Sequence, residues 1–231
     1  MIDPVTLIHL TIVGAIVGLD FVSFPQAMLS RPLVSATLGG WLCGDTASGL
    51  LVGVLLECFA LETMPFGASR YPEWGPAAVA AGAMAAVPGN AELVARTLPM
   101  AVLCGLCAAM VGGQTLVWLR RFNLSVAERY RDALAAGDAT ALVSVHWTGM
   151  ILDFGRAGAV TALFVMVMLP LRAALVDALH TVSGETSLAV VAVLATGVAG
   201  GAVWKVVHTA RDYVRYLLVG LLAGAAVVVL R

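Results

Sequence analysis

The chain has 231 residues, of which 61% are hydrophobic and 12% charged, with a formal net charge of −1 and a mean hydropathy of +0.96. A soluble domain carries about 25% charged and 45–50% apolar residues, so an ordinary soluble enzyme is excluded. The lack of basic excess also excludes a nucleic-acid partner. What fits is an all-α, polytopic integral membrane protein.

The opening run MIDPVTLIHL holds an aspartate and no lysine or arginine, unlike the basic start of a cleaved signal peptide. Val5 to Leu19 is therefore expected to be retained, as a short or tilted span or an interfacial helix. Asp20 to Arg31 reads as a turn-rich link around Pro25. Two short apolar runs follow, Pro32 to Gly44 and Thr46 to Leu56, on either side of Asp45. Each is shorter than the ~20 residues that span a bilayer as a helix. Gly49, Gly53 and Glu57 fall at i, i+4 and i+8, one smooth helical stripe that leads to a carboxylate, and small residues at that spacing admit another backbone. Beyond Glu57 the helical pattern gives way to Pro65, Gly67, Pro72, Gly75 and Pro76, with Glu62, Arg70 and Glu73 among them. Short helices, a broken segment and ionisable groups at membrane depth are features of a transport site.

Trp74 to Ala91 and Thr97 to Leu119 read as a pair of apolar helices joined by a loop with Asn90, Glu92 and Arg96. Within the second, Cys104 and Cys107 form a C-x-x-C with no second ligand pair nearby, which suits small apolar residues one turn apart. Arg120 to His146 is polar. Ser125 and Glu128 make a capping box that starts a helix, Gly137 ends it, and Phe122, Val126, Tyr130 and Leu134 recur every four residues. Arg120, Arg121, Arg129 and Arg131 place this amphipathic segment in the cytoplasm by the positive-inside rule. Ala157 to Leu175 is the next span, interrupted by Pro170 and Arg172. Asp177 to Glu185 is its external loop, and Thr186 to Trp204 returns towards Lys205, Arg211 and Arg215. Leu217 to Leu230 closes the chain. This gives five or six spans plus a re-entrant pair, in one membrane domain. Residues 1–119 form a broken-helix half, 120–146 the cytoplasmic segment and 147–231 a transmembrane scaffold. Eight of the nine prolines lie in the first 99 residues, which locates the functional half.

Several side chains could carry chemistry. Glu57 could accept two hydroxyl protons from adjacent carbons of a sugar; the plain alternative is a solvated helix end. Asp45 suits the cap of the helix that follows it. Gly67 and Ala68 could offer backbone groups from an unwound stretch, or form an ordinary loop. Glu73 beside Trp74 pairs a carboxylate with an aromatic face, which suits a pyranose, although an interfacial tryptophan explains Trp74 equally well. His146, beside Trp147, could receive phosphate or make a structural hydrogen bond, whereas His9, His180 and His208 show no ligand spacing, and no nucleotide loop or nucleophile triad is visible. No metal, cofactor or catalytic residue is expected.

The ordered set Arg31-Pro32-Leu33, Gly44-Asp45, Gly49, Gly53, Leu56-Glu57, Gly67-Ala68 and Pro72-Glu73 resembles the IIC subunit of the mannose–sorbose family of bacterial sugar phosphotransferase systems. His146 and Arg156, ten residues apart, extend the resemblance. Glu73 replaces the family's usual aspartate, and Glu62 and Arg70 stand where smaller residues are usual. The resemblance implies an elevator-type transporter subunit in the bacterial cytoplasmic membrane. It would bind and translocate a hexose or amino-hexose, with Glu57, Gly67, Ala68, Glu73 and Trp74 at the sugar. Arg31, Asp45, Gly49 and Gly53 would have structural or gating roles. A IID membrane subunit would be its partner, in a trimer of heterodimers. Soluble IIA and IIB would carry the phosphate, and a histidine on IIB would donate it. Glu62 and Arg70 leave open a second role, a transporter-like subunit for sensing or assembly.

Overall fold

The computed structural model describes residues 3–61, 70–178, 183–208 and 213–229, and the secondary structure among them is helical, with no strand. The first helix, α1 (Pro4–Val22), starts at Asp3, whose Oδ1 accepts the N–H groups of Val5 at 2.9 Å and Thr6 at 3.0 Å. The link after it is folded back by Asp20, whose carboxylate accepts from the backbone of Ala27 at 2.6 Å and Ser30 at 2.8 Å.

Helices α2 (Pro32–Leu42) and α3 (Thr46–Ala60) have 11 and 15 residues. At 1.5 Å per residue they are roughly 16 and 22 Å long, short of the ~30 Å hydrocarbon layer. They pack closely on each other, as the glycine stripe requires. A methyl on Gly49 would meet the Ala36 carbonyl oxygen at 2.5 Å, and one on Gly53 would meet that of Pro32 at 2.9 Å. Asp45 caps α3 as expected, accepting from the Ser48 N–H at 3.0 Å, and it also accepts from Val87 N–H at 3.1 Å.

Helix α4 (Trp74–Ala85) is the centre of the molecule: all 12 of its residues are buried. It was expected to run to Ala91 and to span. It stops at Ala85 because Ala86 turns extended ahead of Pro88, where a helix cannot continue normally. Helix α5 (Ala91–Arg129) then begins at Asn90, whose Oδ1 accepts the Leu93 N–H at 2.9 Å. Glu92 and Arg96, expected in a loop, therefore lie in its first turns.

Helix α5 also passes through the point where a new helix was expected. The Ser125 hydroxyl donates to the Phe122 carbonyl instead of capping, so the arginines mark the end of the apolar surface and not of the helix. A short helix α6 (Arg131–Ala135) follows, and Gly137, at φ +78°, makes the expected turn. Helix α7 (Ala139–Ala178) contains both His146 and Pro170 without ending at either. The expected boundaries at 119/120 and 146/147 thus fall inside α5 and α7. Helix α8 (Gly184–Val207) is capped by Ser183, and α9 (Tyr213–Val229) comes last.

Among the described residues, four helices are long and apolar enough to cross a membrane, over Pro4–Val22, Ala91–Arg129, Ala139–Arg172 and Gly184–Lys205. Helices α1, α2, α3, α5 and α7 surround α4, whereas α9 packs extensively on none of the other described helices.

Candidate functional site

Two ion pairs bracket residues 62–69 in the sequence. The first is built by the glycine stripe. Because Gly49 and Gly53 lay α3 against α2, Glu57, one turn further on, arrives at the start of α2. Its Oε1 accepts from Arg31 Nε at 2.7 Å and also from Nη2, and its Oε2 accepts the Leu33 N–H at 3.1 Å. A carboxylate there also faces the positive end of the α2 dipole. The pair is reachable: the Arg31 and Glu57 side chains are 37% and 23% exposed.

The second pair is sealed. Gly112 and Gly113 of α5 leave room for the extended residues 71–73, since a methyl on Gly112 would strike the Glu73 side chain and one on Gly113 the Tyr71 carbonyl. The Glu73 N–H donates to the Ala109 carbonyl at 2.9 Å, which pins the start of α4. Its carboxylate then takes Arg156 of α7 bidentately, Nη1 to Oε2 at 2.5 Å and Nη2 to Oε1 at 2.6 Å. Arg156 also donates to Asp153 Oδ1, from Nε at 3.0 Å and Nη2 at 2.6 Å, and from Nη1 to the Thr115 hydroxyl at 3.1 Å. All five guanidinium N–H groups therefore have acceptors. Asp153 in turn accepts the Ser23 hydroxyl at 3.2 Å. Beside this network Tyr71 lies under Arg120, 4.8 Å from its ring centroid, and its hydroxyl accepts from Nη2 of the same arginine.

The expected site residues thus separate. Glu57 and Arg31 are joined and accessible, and Gly49 and Gly53 position them. Glu73 and Trp74, expected to face a sugar, are buried, at 1% and 5% exposure. Gly67, Ala68 and Glu62 lie outside the described residues, and Arg70 is exposed. His146 is exposed and edge-on to Trp147, whereas Arg156 is enclosed. Sequence reasoning missed Asp153 and treated Arg156 only as part of a resemblance. The signal was present: they are the only charged residues between Asp138 and Arg172, and an ionisable group inside a span is functional by default.

A family model described as "PTS system sorbose-specific iic component" matches residues 4–229. A sorbose-specific EIIC component from Lacticaseibacillus casei is 27% identical, over 73% of this chain and 58% of its own length. A fructose permease IIC component from Bacillus subtilis is 30% identical, over 64% of this chain and 52% of its own length. The chain thus spans little more than half the length of these curated relatives. A solved complex of the mannose transporter ManYZ with microcin E492 shares the fold, with a TM-score of 0.61 at 18% identity, covering 97% of this chain and 87% of that one. With four apolar helices long enough to cross among the described residues, the molecule is an integral membrane protein.

Proposed function

The chain belongs to the sorbose-specific IIC family of the sugar phosphotransferase systems, and we propose that it is the permease subunit that binds and translocates a hexose or amino-hexose. The single observation that supports this is the Arg31–Glu57 pair, partly exposed at the open end of a helix pair too short to cross. A sugar diol donates to a carboxylate and accepts from a guanidinium, so it replaces the ion pair without leaving either charge unpaired. The relatives named for sorbose and fructose, and the solved mannose transporter, fit a ligand of this class. Glu73 and Trp74 serve behind the pair, holding the return of the chain into α4. Gly67 and Ala68 lie between Glu57 and Glu73 in sequence, and their proposed part is to offer the sugar backbone groups.

The four arginines from Arg120 to Arg131 favour a cytoplasmic position for that end of the molecule. Arg120 contacts Tyr71, which puts the return of the broken segment on the same side. Sugar held there meets phosphate from a IIB protein charged by IIA. A IID subunit completes the permease, and the pair works as a trimer of heterodimers by an elevator-like shift of a core domain. Helix α9, without an extensive partner among the described helices, suits such an assembly.

The test is uptake of radiolabelled sorbose, fructose and mannose by cells expressing the chain with its neighbouring IIA, IIB and IID frames. Glu57→Gln removes charge-assisted hydrogen bonds worth roughly 1.5–3 kcal/mol, so apparent affinity should fall about ten- to a hundredfold. Glu128→Gln, on the exposed polar end of α5, is the control. Glu92 is unsuitable for that purpose because it accepts the Gly184 N–H at 3.1 Å and so ties α8 to α5. Normal uptake by Glu57→Gln would sink the site. Correct assembly of the wild-type chain with no uptake of any of the three sugars would favour the sensing or assembly role.

A further inference from the structure

A cleft of about 910 Å³ opens at the other end of the molecule, between the start of α1, the end of α2 and the last turns of α7. Its walls include Leu42, Met166 and Leu169, and its charged lining residues are Asp3 and Arg172. Asp3 immediately precedes the candidate span Pro4–Val22, and Arg172 is the last residue of the candidate span Ala139–Arg172. Charged groups at such helix ends favour headgroup level, and apolar walls favour acyl-chain level.

Arg172 is held but not used up. Its Nη1 donates to the carbonyls of Ala86 at 2.9 Å and Met84 at 3.3 Å, which also satisfies the open C-terminal end of α4. Its Nε and Nη2 have no acceptor among the described residues, and neither is a buried unpaired atom, so both remain accessible. A guanidinium fixed along one edge offers the other as a ready fork, the geometry that takes phosphate bidentately. Asp3 is oriented equally firmly. Oδ1 caps α1, and the Thr6 hydroxyl donates to Oδ2, which keeps room for a further donor. Hydrogen bonds from the Thr6 hydroxyl and N–H hold its carboxyl below the usual carboxylate range, so it is an anion at neutral pH. Cys43, also in the lining, feels the charges of both.

We propose that this cleft binds one phospholipid with an amine in its headgroup, phosphatidylethanolamine in kind, its phosphate on Arg172, its ammonium on Asp3 and an acyl chain along Met166 and Leu169. A free sugar does not suit walls of this apolar character. An anionic lipid without an amine would satisfy Arg172 but leave Asp3 unanswered, and the quaternary ammonium of phosphatidylcholine has no N–H to donate to it. Only a headgroup with a primary amine answers both groups.

The experiment is native mass spectrometry of the full chain in mild detergent, titrated with phosphatidylethanolamine, phosphatidylcholine and phosphatidylglycerol. One phosphatidylethanolamine per chain should be retained in preference to the other two. Asp3→Asn keeps the cap, because asparagine caps as well as aspartate. It should lower that preference about ten- to a hundredfold, the worth of one hydrogen bond to a charged group. Met166→Trp fills the cleft and should abolish retention of every headgroup, with thermal melting in lipid-free detergent reporting that each variant is folded. Equal retention of phosphatidylglycerol, or unchanged binding by a folded Asp3→Asn chain, would overturn the proposal. So would a lipid-free complex from membranes in which Met166→Cys cross-links to a helix of another subunit, since the cleft would then be a protein interface.

Discussion

At the scale of single residues, the most committed side chain is Arg156. It joins α7 to the start of α4 through Glu73, to its own helix through Asp153 and to α5 through Thr115. Buried ion pairs are weak evidence for stability, because desolvation offsets the attraction, but removing one partner is strongly destabilising. The arithmetic of charge decides which partner matters more. Arg156→Ala leaves two enclosed carboxylates facing each other, and should cost about 3–5 kcal/mol. Glu73→Gln leaves the Arg156–Asp153 pair neutral and keeps a hydrogen-bonding side chain, so its loss should be smaller. Arg156→Lys should lie between them, since an ammonium has no planar fork for two carboxylates. Thermal melting in detergent ranks the three variants, and a Glu73→Gln chain less stable than Arg156→Ala would refute the assignment. None of this network was legible as a network, because Glu73 and Arg156 are 83 residues apart in sequence. Its members could be flagged one by one as charges in apolar runs, but not paired.

At the scale of elements, periodicity was legible wherever the contact it encodes is local. The Gly49–Gly53–Glu57 stripe predicts a close backbone approach ending at a carboxylate, and the structure supplies the approaching backbone from α2. The turn at Gly137 was legible for the same reason, since only its own backbone conformation is involved. Helix ends beyond the apolar surface were not. Hydropathy reports where a helix leaves the lipid, so a span was expected to end near Arg120, while α5 has 39 residues, roughly 58 Å at 1.5 Å each. The stripe carries a direct test. In Gly53→Val the new methyls meet the backbone of Pro32 and Leu33, not a flexible side chain that could yield, and overpacking of this kind costs typically 1–3 kcal/mol. It should also draw Glu57 away from Arg31, so both melting temperature and sugar uptake should fall. Gly155→Ala is the matched control, because a methyl there meets no atom within 4 Å; it should leave uptake intact and stability unchanged or slightly raised. Equal harm from both would mean that the stripe is not what holds the pair together.

At the scale of the whole molecule, side-chain contacts and arginine counts give the same orientation independently. The Gly184 N–H donates to Glu92, so α5 and α8 begin at one end of the molecule. Asp3 and Arg172 share the cleft, so α1 begins where the span in α7 ends. Ser23, just past α1, reaches Asp153 of α7, so these two helices run in opposite directions over their shared length. Helix α5 finishes among Arg120, Arg121 and Arg129, and α8 finishes at Lys205 and Val207. Most of the cations thus collect at one end, with Arg96 and Arg172 at the other, although the contacts that orient the helices involve none of the larger group. By the positive-inside rule that end is expected in the cytoplasm, and the Arg31–Glu57 pair goes with it because α2 starts from the link that follows α1. A reporter enzyme fused after Gly137 should be active only as a cytoplasmic marker, and one fused near Gly184 only as an external marker. The contacts leave little freedom here. If both reporters lie on one side, either α7 does not cross or the Glu92–Gly184 bond does not form in the membrane. In either case, the cytoplasmic placement expected for the Arg31–Glu57 pair falls with it.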